Sequence, residues 1–241
     1  MELAEALDDR ASFRRFCGFA RHEATPERTA FVRFRRLLVA HGLDGQLFEV
    51  ITAQLREKAI TIKTGTLVDA TIIASATEKD DDARWAKHQG KRAVHGFKAH
   101  AGADADTALV EDVSVTSANN INDGKAGPEA CPNNPGEGFA DSACRGNHFR
   151  DAVGAKGGVP RIVATGTWGR DQQETLQKLR QWNQPIHGVR GRIEQIFGTW
   201  KRCYGLRRIR WRGLAKATVQ VHLTAIACKL KRTMNILAFP A

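Results

Sequence analysis

Acidic residues run out toward the end of this chain. After Glu174 there is one, Glu194, before Ala241, while the same span carries fourteen Lys and Arg. Cysteine is sparse and without pattern: Cys17, Cys131, Cys144, Cys203 and Cys228 form neither a C-x-x-C pair nor a disulfide rhythm. That argues against a zinc site and for a reducing cytosol. No run of eighteen apolar residues occurs, and no charged-then-apolar leader follows Met1, so neither membrane spanning nor secretion is expected and the cytoplasm is the expected compartment. Gly90-Lys91 and Gly124-Lys125 lack the earlier glycine and the following Ser or Thr of a phosphate loop. There is no G-x-S-x-G elbow either, so ATP-driven and serine-hydrolase chemistry are unsupported.

What is present fits a globular chain with a polyanionic partner. The 241 residues, 42% of them hydrophobic, suffice for one domain of ordinary size plus a small accessory piece. The formal charge of +11 favours nucleic acid through counterion release from phosphates. An anionic membrane would instead call for basic residues opposite a broad apolar helix face. Arg207, Arg208, Arg210 and Arg212 surround Trp211 in a segment without helical periodicity, which suits phosphate contacts better.

The first sixty residues repeat apolar positions at three- and four-residue steps and read as short helices, one capped by Thr25 before Pro26 and the next starting near Asp44. From Thr61 the period changes. TIKTGTLVDATIIASA places Leu67, Asp69, Thr71 and Ile73 on one face of a strand. Strands near 95–101 and 107–116 flank Asp104-Ala105-Asp106 as a hairpin, which completes an antiparallel meander. SANNINDGKAGPEACPNNPGEG is dense in Asn, Gly and Pro and reads as a loop; Phe139-Ala140-Asp141 ends a short strand. A helix is expected near 145–155, a strand at 160–164, and separate helices at 170–182 and 185–204. The class is a mixed α/β sheet flanked by helices.

At about 100° per residue, His187, Arg190, Glu194 and Lys201 share a helix sector of roughly 60°. Ile186, Val189, Ile193, Ile196, Phe197 and Trp200 form the neighbouring apolar sector, and Gly191 and Gly198 leave the polar face open to a bulky ligand. Asp69, Asp141 and Glu194 are the minimum of carboxylates able to hold a pair of hard cations, Mg²⁺ or Mn²⁺, of the kind that act on phosphodiesters. Each also has a structural reading. Glu194 can pair with Arg190 one turn away, Asp69 can cap a turn, and Asp141 with Ser142 can open the following helix. Asp80, Asp81 and Asp82 read as a solvated cap before a helical-looking ARWAKH. Asp104 and Asp106 read as turn formers, and His95 and His100 fall on opposite faces of their strand.

These stretches resemble the DDE transposases of bacterial insertion sequences, specifically the insertion-sequence-five group. The likeness runs from SFRRFCGF and TPERTAFVRFRRLLVAHGL through GTLVDATIIASA, HGFKAHAGADADTALVEDVSVTSAN and FADSACRGNHFRDAV to RGRIEQIFGTWKRCYGLRRIRWRGLAKATVQVHLTAIACKL. The family's signature of Tyr, two residues, Arg, three residues, Glu, six residues, Lys is matched in every spacing by His187, Arg190, Glu194 and Lys201. The resemblance implies a ribonuclease-H-like core in which Asp69, Asp141 and Glu194 bind Mg²⁺ or Mn²⁺ and cut and join DNA at element ends. It implies that Arg190 and Lys201 contact DNA near the scissile phosphate. His187 stands where the signature has Tyr, and an imidazole still donates to phosphate or stacks on a base. The family's N-terminal helical region is longer, so a shortened start is expected, with residues 1–60 serving DNA binding or dimerisation and 61–241 forming the catalytic domain. Synapsis of two ends implies a homo-oligomer on DNA, in the bacterial cytoplasm near the nucleoid. The competing expectation is a non-catalytic DNA-binding remnant that keeps the basic surface alone.

Overall fold

The structure, a computed structural model, describes residues 3–58, 65–87, 92–119, 131–144 and 146–238. It divides into two compact units, Met1–Gln46 and Leu47–Ala241. Helices α1 (Leu3–Asp9), α2 (Ala11–Phe16) and α3 (Arg28–His41) lie in the first, which also holds the start of α4 (Leu43–Lys58). Ala6, Leu7 and Leu38 are its buried apolar residues. Gly42, at φ 59°, takes the left-handed conformation that ends α3 without a Cβ clash. Thr25 does not cap that helix: α3 begins after Glu27, and the Thr25 hydroxyl donates to the Asp8 carboxylate instead. Asp44 does lie in the first turn of α4.

The second unit begins inside α4, where Phe48 is buried in the main core and Leu47 and Ile51 pack against it. Its sheet comprises β1 (Gly65–Ala74), β2 (Arg84–Ala86), β3 (Val94–Asp104), β4 (Val110–Ser117), β5 (Glu137–Ala140) and β6 (Val159–Ile162). The order is β2-β3-β1-β5-β6, with β4 also pairing β3. β1, β3 and β4 form the expected antiparallel meander, whereas β5 lies parallel to β1 and β6 parallel to β5. Asp104 closes the β3–β4 turn by accepting from the Thr107 N–H at 2.7 Å and the Thr107 hydroxyl at 2.6 Å. The β1–β3 approach requires Gly96, where a Cβ would come within 2.0 Å of the Ile73 carbonyl oxygen. This is the mixed α/β, ribonuclease-H-like arrangement expected from the sequence. Residues 61–64 and 120–130, where part of the first strand and most of the Asn/Gly/Pro loop were expected, lie outside the described residues.

β1 is covered on both faces. Leu67 and Ile73 enter the main core with Ile193, Phe197 and Trp200, while Val68 joins Phe149 and Val153 of α5 (Asn147–Ala155) on the other side. Two local expectations fail. Arg84–Ala86 is a strand, because it pairs with Val94–Gly96 at the edge of β3. Residues 170–204 form one helix, α6 (Gln172–Cys203), with Pro185 inside it. Proline costs an interior helix about 3 kcal/mol, and tertiary anchors hold the turn before it. Trp182 Nε1 donates to the Ile162 carbonyl at 2.9 Å, and the Asn183 amide makes two 2.8 Å hydrogen bonds with the Ala164 backbone. Helix α7 (Leu214–Ala238) completes the unit against β4. Among the described residues no helix is long and apolar enough to cross a membrane, and none of the five cysteines is in a disulfide.

One core residue is a cation. Lys229 of α7 is 3% exposed, donates to the Thr52 hydroxyl at 2.6 Å and lies 4.5 Å from the Phe48 ring centre. Burial pushes its pKa from 10.5 down to about 7, against the opposing pull of Glu111. Between those values the unfolded chain binds the proton and the folded chain does not. Stability from this group therefore rises as pH increases through that window, and its full cost is present below about pH 7. Lys229→Met is expected to raise the urea midpoint at pH 6 and to flatten the climb between pH 7 and 10. A pH profile identical to that of the parent would overturn the assignment.

Candidate active site

The parallel pairing of β1 with β5 sets two carboxylates side by side. Leu67 is opposite Phe139, so two residues further along both strands bring Asp69 and Asp141 to the same level and, by alternation, the same face. Asp69 is inside β1. Asp141 lies one residue past β5, where its Oδ1 accepts from the Ala143 N–H at 2.8 Å and opens a 3-10 turn over Ser142–Cys144. Its helix-opening role is thus real and uses one of its two oxygens.

Helix α6 crosses that face, anchored by buried Ile186, Ile193, Ile196, Phe197 and Trp200. From it Arg190 Nη2 donates to Asp69 Oδ2 at 3.2 Å, with the two side chains only 15% and 18% exposed. Asp69 Oδ1 accepts from the Ala70 N–H at 2.7 Å. Burial raises the Asp69 carboxyl above the usual range. The Ala70 N–H and Arg190 pull it back, and the nearby Asp141 charge raises it further. Arg190 Nε is buried and lacks a hydrogen-bond partner among the described residues.

Arg190 is therefore engaged by the strand, not by Glu194. Glu194 is exposed and makes no ion pair among the described residues. With Asp69, Arg92, Gly198 and Lys201 it lines a cavity of about 410 Å³ over β1, and Asp141 stands outside that lining. His187 is exposed one turn before Arg190 on the same sector. Among the described residues no three His, Cys, Asp or Glu side chains stand close enough to hold a metal ion as they are. The chemistry of the donor set nevertheless fits a hard divalent cation. Asp69 and Asp141 are oxygen donors whose mutual repulsion a cation would relieve, a need that the Arg190 guanidinium meets in part.

The basic segment after α6 is held to the same strand. The Ala74 N–H donates to the Arg207 carbonyl at 3.2 Å and the Ile209 N–H to the Ala74 carbonyl at 2.7 Å. Leu206 and Ile209 are buried, which leaves Arg207, Arg208, Arg210 and Arg212 exposed beside the end of β1. The Asp80–Asp82 run has a structural task that its local sequence does not announce. Asp80 accepts from the Gly213 N–H at 3.1 Å and Asp82 from the Leu214 N–H at 2.8 Å, capping α7 from across the fold. His100 is buried with Nε2 3.3 Å from the Thr116 hydroxyl, and His95 Nδ1 meets the Ser75 hydroxyl at 3.0 Å. Arg92 was missed by sequence reasoning. The signal was its place at the end of the basic Gly90-Lys91-Arg92 run, two residues before β3.

Carboxyl titration followed by ¹³C NMR checks the electrostatics without any activity. Asp141→Asn is expected to lower the Asp69 midpoint by removing a like charge, and Arg190→Met to raise it by removing an opposite one. Equal midpoints in all three proteins would mean that these groups do not face one another.

A family model described as "Transposase DDE domain" matches residues 61–229. A second, "Transposase domain (DUF772)", matches residues 1–37. No solved structure gives a significant match.

Proposed function

Because the chain belongs to the transposase DDE domain family, we propose that it is a metal-dependent DNA transposase that cleaves strands at insertion-sequence ends and joins them to target DNA. The observation that carries this reading is Glu194. It is an exposed acid without an ion pair among the described residues, sharing a cavity with Asp69 and Lys201 while Arg190 turns to the strand. A carboxylate kept only as a helix partner would sit against Arg190 one turn earlier.

In this reading Asp69, Asp141 and Glu194 hold Mg²⁺ or Mn²⁺. The bound cations would supply activation of the attacking oxygen and stabilisation of the leaving one. The chain's own groups do the rest. Arg190 offers the guanidinium N–H groups that Asp69 does not use, and Lys201 an ammonium at the cavity edge, to the oxygens of the phosphate beside the scissile bond. His187 donates to, or stacks beside, the adjoining nucleotide. Gly198 lines the cavity with the Arg202 guanidinium 3.2 Å from where its Cβ would stand, whereas Gly191 has open space beside it. Arg207, Arg208, Arg210 and Arg212 hold the flanking backbone, and the 1–60 region serves end recognition or dimerisation, so that two ends are brought together by a homo-oligomer. The insertion-sequence-five assignment rests on the His187, Arg190, Glu194, Lys201 spacing.

Two experiments test the proposal. Glu194→Gln keeps shape but weakens cation binding, so Mg²⁺- or Mn²⁺-dependent nicking of an element-end duplex is expected to collapse while metal-free DNA binding persists or tightens. Equal nicking by both proteins removes Glu194 from the mechanism. A wild-type chain that binds but never nicks supports the remnant reading. Separately, neutralising Arg207, Arg208, Arg210 and Arg212 together is expected to flatten log affinity against log salt by about 0.9 for each phosphate that the protein no longer neutralises. An unchanged slope places the DNA elsewhere.

A further inference from the structure

Helix α6 presents two polar faces. Taking Glu194 as the origin, His187, Arg190 and Lys201 fall within about 40° of it, whereas Gln195, Thr199 and Arg192 fall between about 100° and 160°. The second face meets α7 across a separate groove of about 190 Å³, to which Lys231, Arg232 and Asn235 contribute from α7. These α7 positions follow Cys228 at three, four and seven residues, a single helical stripe.

We infer that this α6–α7 groove is a second phosphate-binding track, which holds the backbone of a DNA duplex segment distinct from the one at the Asp69–Glu194 cavity. The inference rests on the reading of the chain as a DNA transposase and extends it to another surface. Two of the cations are set in place by the β3–β4 turn. Arg192 Nη1 donates to the Ala105 carbonyl and lies 3.4 Å from Asp106, and Arg232 Nε donates to the Thr107 carbonyl at 2.9 Å. Each guanidinium keeps further N–H donors beyond these bonds. Lys231 is exposed in the same lining, and Gln195 and Asn235 add neutral amide donors that read no base sequence. Charge complementarity selects the occupant. α7 contains no acidic residue, and the groove lining holds Arg192, Lys231 and Arg232 but no carboxylate, Asp106 meeting Arg192 at 3.4 Å. Seven residues of helix, about 10 Å, span roughly three phosphates of one strand at 3.4 Å each. A lipid surface suits the site less, because Ile196, the one large aliphatic side chain of the lining, is buried, while amide and positioned guanidinium groups share that lining.

The test uses the full chain and a fluorescent 30-base-pair duplex of arbitrary sequence, with anisotropy measured over a salt series. The proteins are wild type, the triple variant R192Q/K231Q/R232Q, the single variant K231Q, the four-arginine variant of the basic segment, and the combination of the triple and four-arginine sets. The triple variant is expected to reduce the steepness of log affinity against log salt by about 2 to 3, and K231Q alone by about 0.9. The combined variant is expected to show the sum of the two sets. K231Q decides the matter if the triple variant melts early, because Lys231 makes no hydrogen bond to the β3–β4 turn among the described residues. Slopes for the triple and K231Q variants equal to wild type overturn the second track and leave the transposase reading standing. Failure of the wild type to bind the duplex overturns both. A combined variant no weaker than the four-arginine one merges the two surfaces into one. Loss of cosedimentation with phosphatidylserine vesicles at unchanged duplex slopes would reassign the groove to lipid.

Discussion

The Arg190–Asp69 ion pair joins the longest helix to the central strand, and the geometry of the site follows from it. Burial raises the Asp69 pKa above the usual carboxylate value, and moving Arg190 out to water would leave that carboxylate unpaired. An exposed pair of this kind contributes about 0–1 kcal/mol. A half-buried one is costly to break singly, because the remaining charge is stranded. The pair therefore fixes the rotation of α6 about its own axis. Once Arg190 points at β1, Glu194 and Lys201 must overhang the same strand, and Arg192 must point away.

The fixed rotation also explains how a single acid survives in so basic a segment. Glu174, the only other acid beyond residue 172, is used locally: Asp171 accepts from its N–H at 2.8 Å, and its carboxylate reaches back to the Arg170 N–H. That reciprocal arrangement begins α6. Glu194 has no comparable local task. Its nearest basic helical neighbour is committed elsewhere, so its charge is available to whatever enters the cavity.

Much of this was legible from residue order because the determining contacts are local or periodic. Alternation in GTLVDATIIA gave the face on which Asp69 lies, and the 3.6-residue repeat from Ile186 to Trp200 gave the face on which Glu194 lies. Where sequence reasoning failed, the deciding partner was distant. Within ARWAKH, Arg84–Ala86 became a strand because the edge of β3 was open to it. Pro185 did not end a helix because Trp182 and Asn183 are tied to the backbone after β6. Asp80 and Asp82 cap a helix 133 and 132 residues away, measured to the N–H groups they accept from. Propensity carries no information about such pairings. The nearness of Asp69 to Asp141 also belongs to this class, since it depends on the parallel register of β5 against β1.

The distribution of charge around α6 follows from the same register. A strand that carries an acid at mid-length needs a cation over it, and the proposed DNA substrate over that acid would need more cations further out. Arg190 satisfies the first need from within. The segment hydrogen-bonded to Ala74 satisfies the second from the end of the same strand, with Leu206 and Ile209 buried so that four arginines face outward. Had those arginines been on α6 beside Glu194, they would have paired with it and filled the cavity. Placing them on a separate, strand-tethered segment keeps Glu194 unpaired and the surrounding potential positive, two conditions that a single helix face could not meet together.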